Sequence, residues 1–454
     1  MKRIPAIFIV MLSLASCEQF LEIDAPNTQL VTAKVFEDDD GVKSALAGMY
    51  SKLMSSTTFA SGGSNGITVI AGLSSDELEN HSLSPGPTAI YNNSLTPINT
   101  VSSTWTEAYS LIYNANLIIE GVESSTGMTQ AMKDQAIGEA LFMRAFSYFY
   151  LINFYGDVPL ITTTDYRANR LAPRAPSSTV YQQIEDDLIK SQELLRDDYE
   201  FSGGEKVEPN TWVATALLSR VYLYQNKWSD AEIQATSLIE SGNFSLPADL
   251  NSVFLANSDE TIWQLVPVFP NLNTYDGPFF YGANETVQAS VSASVLNSFE
   301  PGDNRANSWI AVYSPDDPSN AYPFKYKVVT GSQPLTEYQM VLRLGEQYLI
   351  RAEARAMQGN LSGAIDDVNM TRIRAGLVPI DASGLSQQEA LDMIEQERRS
   401  ELFIEWGHRW FDLKRWGKAD VELGISKPNW QSKDALFPIP QTEITADPNL
   451  TQNP

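Results

Sequence analysis

The sequence predicts a mostly α-helical protein in which helical hairpins form a scaffold interrupted by an irregular, loop-rich part. Three observations point there. Apolar residues recur at spacings of three and four in segment after segment, the mark of amphipathic helices. Small residues stand twelve apart across short turns in two places, as antiparallel helices in close contact require. Between those places prolines and aromatic rings crowd into residues 263–326, where long helices are forbidden.

The first element is a leader. Lys2 and Arg3 precede an apolar run from Ile4 to Leu14, and the small residues Ala15 and Ser16 come before Cys17, the order of a secretory signal peptide over 1–16. The run is about half the roughly 20 residues a membrane-crossing helix needs, so cleavage is the expectation. Leu14, Ala15, Ser16 and Cys17 resemble a bacterial lipobox, and Cys17 is the only cysteine in the chain. It is the predicted lipidation site, and its use leaves no thiol for disulfides. Residues 17–34, with Pro26 and Asn27 and no helical period, read as a lipidated tether.

A first helical part is expected over 35–240. Val42, Leu46, Met49, Tyr50 and Leu53 predict a helix from Asp40 to Met54, and the glycines and prolines of 55–100 predict a long irregular loop. Helices are expected again from Val101 to Val122 and from Gln130 to Tyr155, the latter stopped by Gly156 and Pro159. Thr179 with Gln182 three residues on forms a capping-box signature for the next helix. The hairpin signals are Ser219 with Ala231 and Ala352 with Ala364, with Asn226 and Gly359 at the turns. The two copies lie 133 residues apart, so no regular solenoid is expected. The second helical part spans 336–454, and the aromatic, loop-rich part spans 241–335.

Composition excludes several functions. The chain has 31 Lys plus Arg against 56 Asp plus Glu, and removal of 1–16 deletes two cations, taking the formal charge from −25 to −27. Such a surface repels phosphate backbones, so a nucleic-acid role is not expected. Apolar residues at 43% are ample for one large domain or two closely joined ones. With Cys17 committed to lipid and only His81 and His408 present, cysteine catalysis and zinc clusters fail by inventory. Gly62, Gly63 and Gly66 lack the lysine of a phosphate loop. Glu397, Glu401 and Glu405 stand on one face of an expected helix, but Arg398, Arg399, Arg409 and Arg415 interleave with them. Helix ion pairing explains that pattern better than paired catalytic carboxylates.

Ligand binding is therefore assigned to rings. Residues 263–326 hold twelve aromatics and seven prolines, and prolines put rings on loops and short strands. Those flanked by polar residues or turn formers are expected at the surface: Tyr275, Tyr281, Trp309 and Tyr313, with Phe280 and Tyr322 beside them and Trp309 the leading candidate. Trp263 and Phe299, among apolar neighbours, are expected in the core. Asp76, Asn80 and His81 in the first loop are weaker candidates for the far side of the same groove.

The C-terminal third resembles the SusD-like (RagB/SusD) nutrient-binding outer-membrane lipoproteins of Bacteroidetes. Three segments carry the resemblance: Leu342 to Leu377, the charged and Trp-rich stretch Ile394 to Ala419, and the tail Leu436 to Pro454 with its Pro-Ile-Pro and Gln-Asn-Pro. Ala293 to Ala306 and the lipobox extend it. The resemblance implies a single mostly α domain with four tetratricopeptide-like helical pairs as scaffold. It also implies no catalysis; no cofactor is expected, and no metal-binding residue is assigned. The implied protein is anchored by lipid on the outer membrane, facing the cell surface, and captures oligosaccharide for a TonB-dependent SusC-like transporter. A peptide ligand is the alternative, and a helical glycosidase or a pure protein-binding scaffold are the rivals.

Overall fold

The computed structural model describes residues 32–55, 59–60, 62–269, 272–281, 287–314, 317–328 and 334–454. The signal peptide, Cys17 and nearly all of the tether lie outside the described residues. More than half of the chain is helical and sheet is sparse, a mostly α single-domain fold as expected.

Local sequence explains where several of the helices begin and end. The helix Asp39–Met54 starts where the Asp38 carboxylate accepts from Gly41 N at 2.9 Å, and it buries Val42, Leu46, Met49 and Leu53 on one stripe. The helix Gln130–Tyr155 is capped by Thr129, whose hydroxyl accepts from Met132 N. It is so apolar that it is buried on nearly all sides, and it ends at Gly156, whose φ of 71° lets its N–H turn back to the Ile152 carbonyl. The helix after Pro176 begins at Ser177, so Thr179 is an interior residue and makes no capping box. The fixed φ of Pro176 starts that helix before Thr179 can.

The scaffold is a stack of antiparallel helices in which Ser102–Ser124 packs on Gln130–Tyr155, which packs on Ser177–Leu194, which packs on Thr211–Tyr224. The two hairpins read from small residues are both present, as Thr211–Tyr224 with Trp228–Glu240 and Leu344–Met357 with Leu361–Arg374. Ser219, Ala231, Ala352 and Ala364 are fully buried at the helix contacts, and Asn226 and Gly359 turn with φ of 60° and 84°. Although far apart in sequence, the hairpins are neighbours, since Trp228–Glu240 lies against Leu344–Met357. The join is polar as well as packed. Ser219 donates to Gln347 at 2.6 Å, and Arg220 makes a bidentate pair with Glu346, both bonds 2.6 Å and fully buried.

The segment 55–100 departs from expectation. It contains the helix Ile67–Ser74, the strand Leu78–Asn80 and the helix Pro85–Tyr91. Every residue of Ile67–Ser74 is buried, so it has no polar face and no amphipathic period to read. The aromatic part behaves as its prolines predict, with only short helices (Asp276–Tyr281, Ala293–Leu296, Asn304–Ser308) and two-stranded sheets. Among these, Thr261–Leu265 pairs antiparallel with Gln339–Arg343 and ties the loop-rich part into the core through fully buried Trp263. Phe299 sits half-buried, edge-on to core residue Phe403.

Candidate functional site

The rings on the aromatic part divide into buried and displayed. The hairpin Ile310–Ser314 with Asp317–Pro323 pairs Ala311 with Tyr322, so the two-residue alternation of strands puts Tyr313, Tyr322 and Phe324 on one side. Tyr313 and Tyr322 lie 4.5 Å apart between centroids, and Phe324 is edge-on to Tyr322 at 5.9 Å. Tyr281, at the end of the helix Asp276–Tyr281, leans over them at 6.4 Å from Tyr313 and 5.9 Å from Tyr322. The Tyr313 hydroxyl donates to the Phe280 carbonyl, locking the hairpin to that helix. Tyr281 is 44% exposed, Tyr313 half-buried and Tyr322 buried beneath them. Together they form a shelf with one ring face open to solvent.

A second displayed pair stands nearby in sequence. Half-buried Tyr275 meets exposed Phe269 edge-on at 5.5 Å, and the Tyr275 hydroxyl has no partner among the described residues. Phe269 was not singled out from the sequence, although Pro267 and Pro270 around it are the same turn-former signal that marked the others.

Trp309 is not a displayed ring. It is fully buried, its indole N–H donates to the Leu250 carbonyl at 3.0 Å, and Phe254 and Phe403 pack against it. Its neighbours Asn307 and Ser308 belong to the short helix Asn304–Ser308, and Trp309 caps that helix with its side chain turned inward. Phe280 is likewise core, at 3% exposure, contributing its carbonyl rather than its ring.

Of the first-loop candidates, Asp76 is a structural anchor. Its carboxylate accepts from Arg409 at 2.9 and 3.1 Å, from Arg399 at 2.5 Å and from Ser294 at 3.0 Å. Burial alone would push its pKa up, but Arg409 and Arg399 outweigh it and hold the carboxyl at about 2. Asn80 spends its amide on Ser82 and Thr88. His81 is exposed, with Nε2 2.7 Å from the Ser290 hydroxyl. The strand Leu78–Asn80 pairs with Ala289–Val291, which lies against the strand Asp317–Pro323, so the His81 rim flanks the tyrosine hairpin.

A buried frame supports the shelf. Gly62 and Gly63, at φ of 90° and 73°, wrap the Asp276 carboxylate, which accepts from Gly63 N at 3.2 Å and from Gln339 at 2.9 Å. A Cβ on Gly62 would fall 2.4 Å from that carboxylate, so these glycines serve a close approach and not a phosphate. Burial raises Asp276 to about 6.

The helix Gln387–Glu401 ends before Glu405, so Glu397 and Glu401 share a helix and Glu405 does not. Ile404, Trp406 and Gly407 then take positive φ of 50°, 46° and 78°. All three carboxylates are neutralised. Arg305 donates to Glu397 at 2.6 Å and Glu401 at 3.0 Å, Arg343 to Glu401 at 2.5 Å and Glu405 at 2.9 Å, Arg374 to Glu401 and Lys325 to Glu405. Lys325 also stands 5.0 Å above the Trp309 ring. His408 is buried, and burial among cations keeps its pKa well below the ordinary value. Among the described residues no cluster of His, Cys, Asp and Glu could hold a metal ion.

A helical-hairpin scaffold carrying ring-bearing loops over a buried ionic frame is the build of a binding protein, and the comparisons agree. Residues 20–223 match the family described as "Starch-binding associating with outer membrane", and residues 317–454 match the SusD family. The chain belongs to the SusD/RagB family. SusD-like protein P25 of Formosa agariphila is 25% identical over 96% of this chain and 95% of its own. A SusD superfamily protein of Bacteroides vulgatus superposes with a TM-score of 0.80 at 20% identity, covering 92% of this chain and 99% of that one. A laminarin-binding SusD-like protein superposes with a TM-score of 0.77 at 24% identity, over 92% of this chain and 99% of that one.

Proposed function

We propose that this protein is a surface glycan-binding lipoprotein, held on the outer membrane through Cys17, that captures a neutral oligosaccharide on the Tyr281–Tyr313–Tyr322 shelf and passes it to a TonB-dependent SusC-like transporter. The observation that carries the reading is the shelf itself. The apolar C–H face of a pyranose buries well against a flat ring, and the exposed His81 at the rim, its Nε2 2.7 Å from buried Ser290, can meet a hydroxyl. Shelf and frame have separate tasks, since the buried Glu401 is tied to Arg305, Arg343 and Arg374. That pairing supports a reading of binding without hydrolysis. The family description, with its starch and outer membrane, and the laminarin ligand of a structural neighbour support the ligand class and the location.

The test is calorimetry with maltoheptaose and laminarihexaose on the parent, Tyr281→Ala and Tyr313→Ala. An open ring face covering about 100 Å² at about 25 cal/mol per Å² contributes roughly 2.5 kcal/mol, so each substitution should weaken binding about 50-fold, with little change in melting temperature for exposed Tyr281 and a lower one for Tyr313, whose hydroxyl ties the hairpin to the helix. Unchanged affinity in both variants removes the shelf from the site. Sugar release by the parent overturns the non-catalytic reading.

A further inference from the structure

A second ring-lined concavity lies away from the shelf, built from entirely different elements. One wall is the helix Ser102–Ser124, on which Trp105, Tyr109 and Tyr113 follow one another at i, i+4 and i+8. They grade outward: Trp105 is buried, Tyr109 half-buried with its hydroxyl donating to the Pro159 carbonyl at 2.8 Å, and Tyr113 is 49% exposed. Facing them are Tyr166, 68% exposed, with Arg170 on the connection after Pro159, and Glu443 of the C-terminal tail. The groove between has a volume of about 420 Å³.

We propose that this groove is a second carbohydrate-binding site that takes a short neutral oligosaccharide. Its ligand class rests on the glycan-binding reading above; its location does not. Four features choose the occupant. An i to i+4 step advances about 6 Å along a helix, close to the length of one pyranose unit, so Tyr109 and Tyr113 offer successive ring faces to successive sugars. The volume falls within the roughly 300–1,000 Å³ of small-ligand sites. The Tyr113 and Tyr166 hydroxyls and the Arg170 guanidinium have no hydrogen-bond partner among the described residues, so donors and acceptors stand free beside the rings. Finally, Arg170 is set against Glu443 and Asp447, leaving no excess of positive charge to select a phosphate or an acidic sugar. Exposed tyrosines on facing concave walls also differ from the broad patch of about 800 Å² per partner that a protein contact needs.

The mature protein, Tyr113→Ala/Tyr166→Ala and Tyr281→Ala/Tyr313→Ala are titrated with maltoheptaose and laminarihexaose, and hydroxyl-radical footprinting reads the four tyrosines in the parent. Both groove rings are exposed, so their loss should leave folding intact. The expected result is protection of Tyr113 and Tyr166 as well as Tyr281 by at least one sugar, with the groove pair losing one class of binding by tenfold or more and keeping the other. Loss confined to the Tyr281/Tyr313 pair overturns this inference and leaves the shelf standing. Loss confined to the groove pair overturns the shelf and upholds the groove. Binding of neither sugar by the parent overturns both, and protection of Tyr113 and Tyr166 by the transporter alone assigns the groove to a protein contact instead.

Discussion

Trp309→Ala separates the core from the tyrosine shelf. The indole is fully buried among Phe254, Phe403 and the Lys325 ammonium, and its N–H is the partner of the Leu250 carbonyl. A buried tryptophan removes roughly 150–250 Å² from water, worth about 4–6 kcal/mol at 25 cal/mol per Å², and measured losses for such truncations are about 3–5 kcal/mol. Leaving the Leu250 carbonyl unpaired adds about 1–3 kcal/mol unless water enters the cavity. A cost near 5 kcal/mol, at about 2 °C per kcal/mol for a large domain, lowers the melting temperature by about 10 °C. Thermal unfolding followed by circular dichroism gives the shift, and calorimetry with laminarihexaose well below the melt gives the affinity. The variant should melt early and bind as the parent does. A melting temperature within a degree or so of the parent, or a lost affinity with the melt preserved, refutes the burial argument.

Lipidation rests on one residue: Cys17→Ala should abolish incorporation of a fatty-acid analogue, and equal label on mutant and parent refutes it. A pH dependence follows from Glu139, which is buried with Tyr50 and Gln135 donating to it and which burial, together with Glu208, raises to about 8. A carboxyl whose folded pKa lies above its unfolded value of 4.5 binds more protons folded than unfolded, so it lowers stability as pH climbs from about 4.5 to about 8. Glu139→Gln should match the parent at pH 5 and exceed it at pH 8 in urea unfolding, and parallel stability curves for the two would refute the buried-acid reading.

Much of the scaffold was legible because amphipathic periods and small-residue spacings are local. The helix Gln130–Tyr155 and both hairpin contacts could be read from composition and spacing alone. What could not be read is what depends on burial from all sides. Ile67–Ser74 has no polar face, so its residues carry no period, and the glycines before it resemble loop punctuation because their work, clearing space for Asp276, is tertiary. Trp309 misled for a related reason. Flanking polar residues report the chain's exposure, while the side chain of a helix-capping residue can point the other way. For Tyr281 the same flanking signal coincides with a ring that reaches solvent because it ends a helix, and Tyr313, on a two-stranded hairpin beneath it, is half-buried. Glu405 was placed on a helix that stops at Glu401, and the left-handed turn that follows includes Ile404, a β-branched residue whose sequence gives no warning of it.

That turn shows why the buried carboxylates belong to the frame. Left-handed φ at Ile404 and Trp406 costs about 1–3 kcal/mol each and persists only when the surroundings over-determine it. Here they do: Ile404 N donates to Glu77 at 2.9 Å and the Trp406 indole N–H to the Met340 carbonyl at 2.5 Å, while the Glu401 and Phe403 carbonyls accept from Lys325. Glu401 anchors the start of the turn by accepting from Arg305, Arg343 and Arg374, whose charges outweigh burial and keep it ionised. Glu401→Gln keeps the shape and removes the charge, leaving three buried arginines short of one counter-charge. Breaking a buried pair of this kind typically costs about 3–5 kcal/mol. The variant should therefore unfold at lower urea than the parent and bind laminarihexaose with parental affinity below the transition, and neither protein should release reducing sugar. Were Glu401 one of a pair of hydrolytic acids, the parent would release sugar and the variant would lose that activity while unfolding normally.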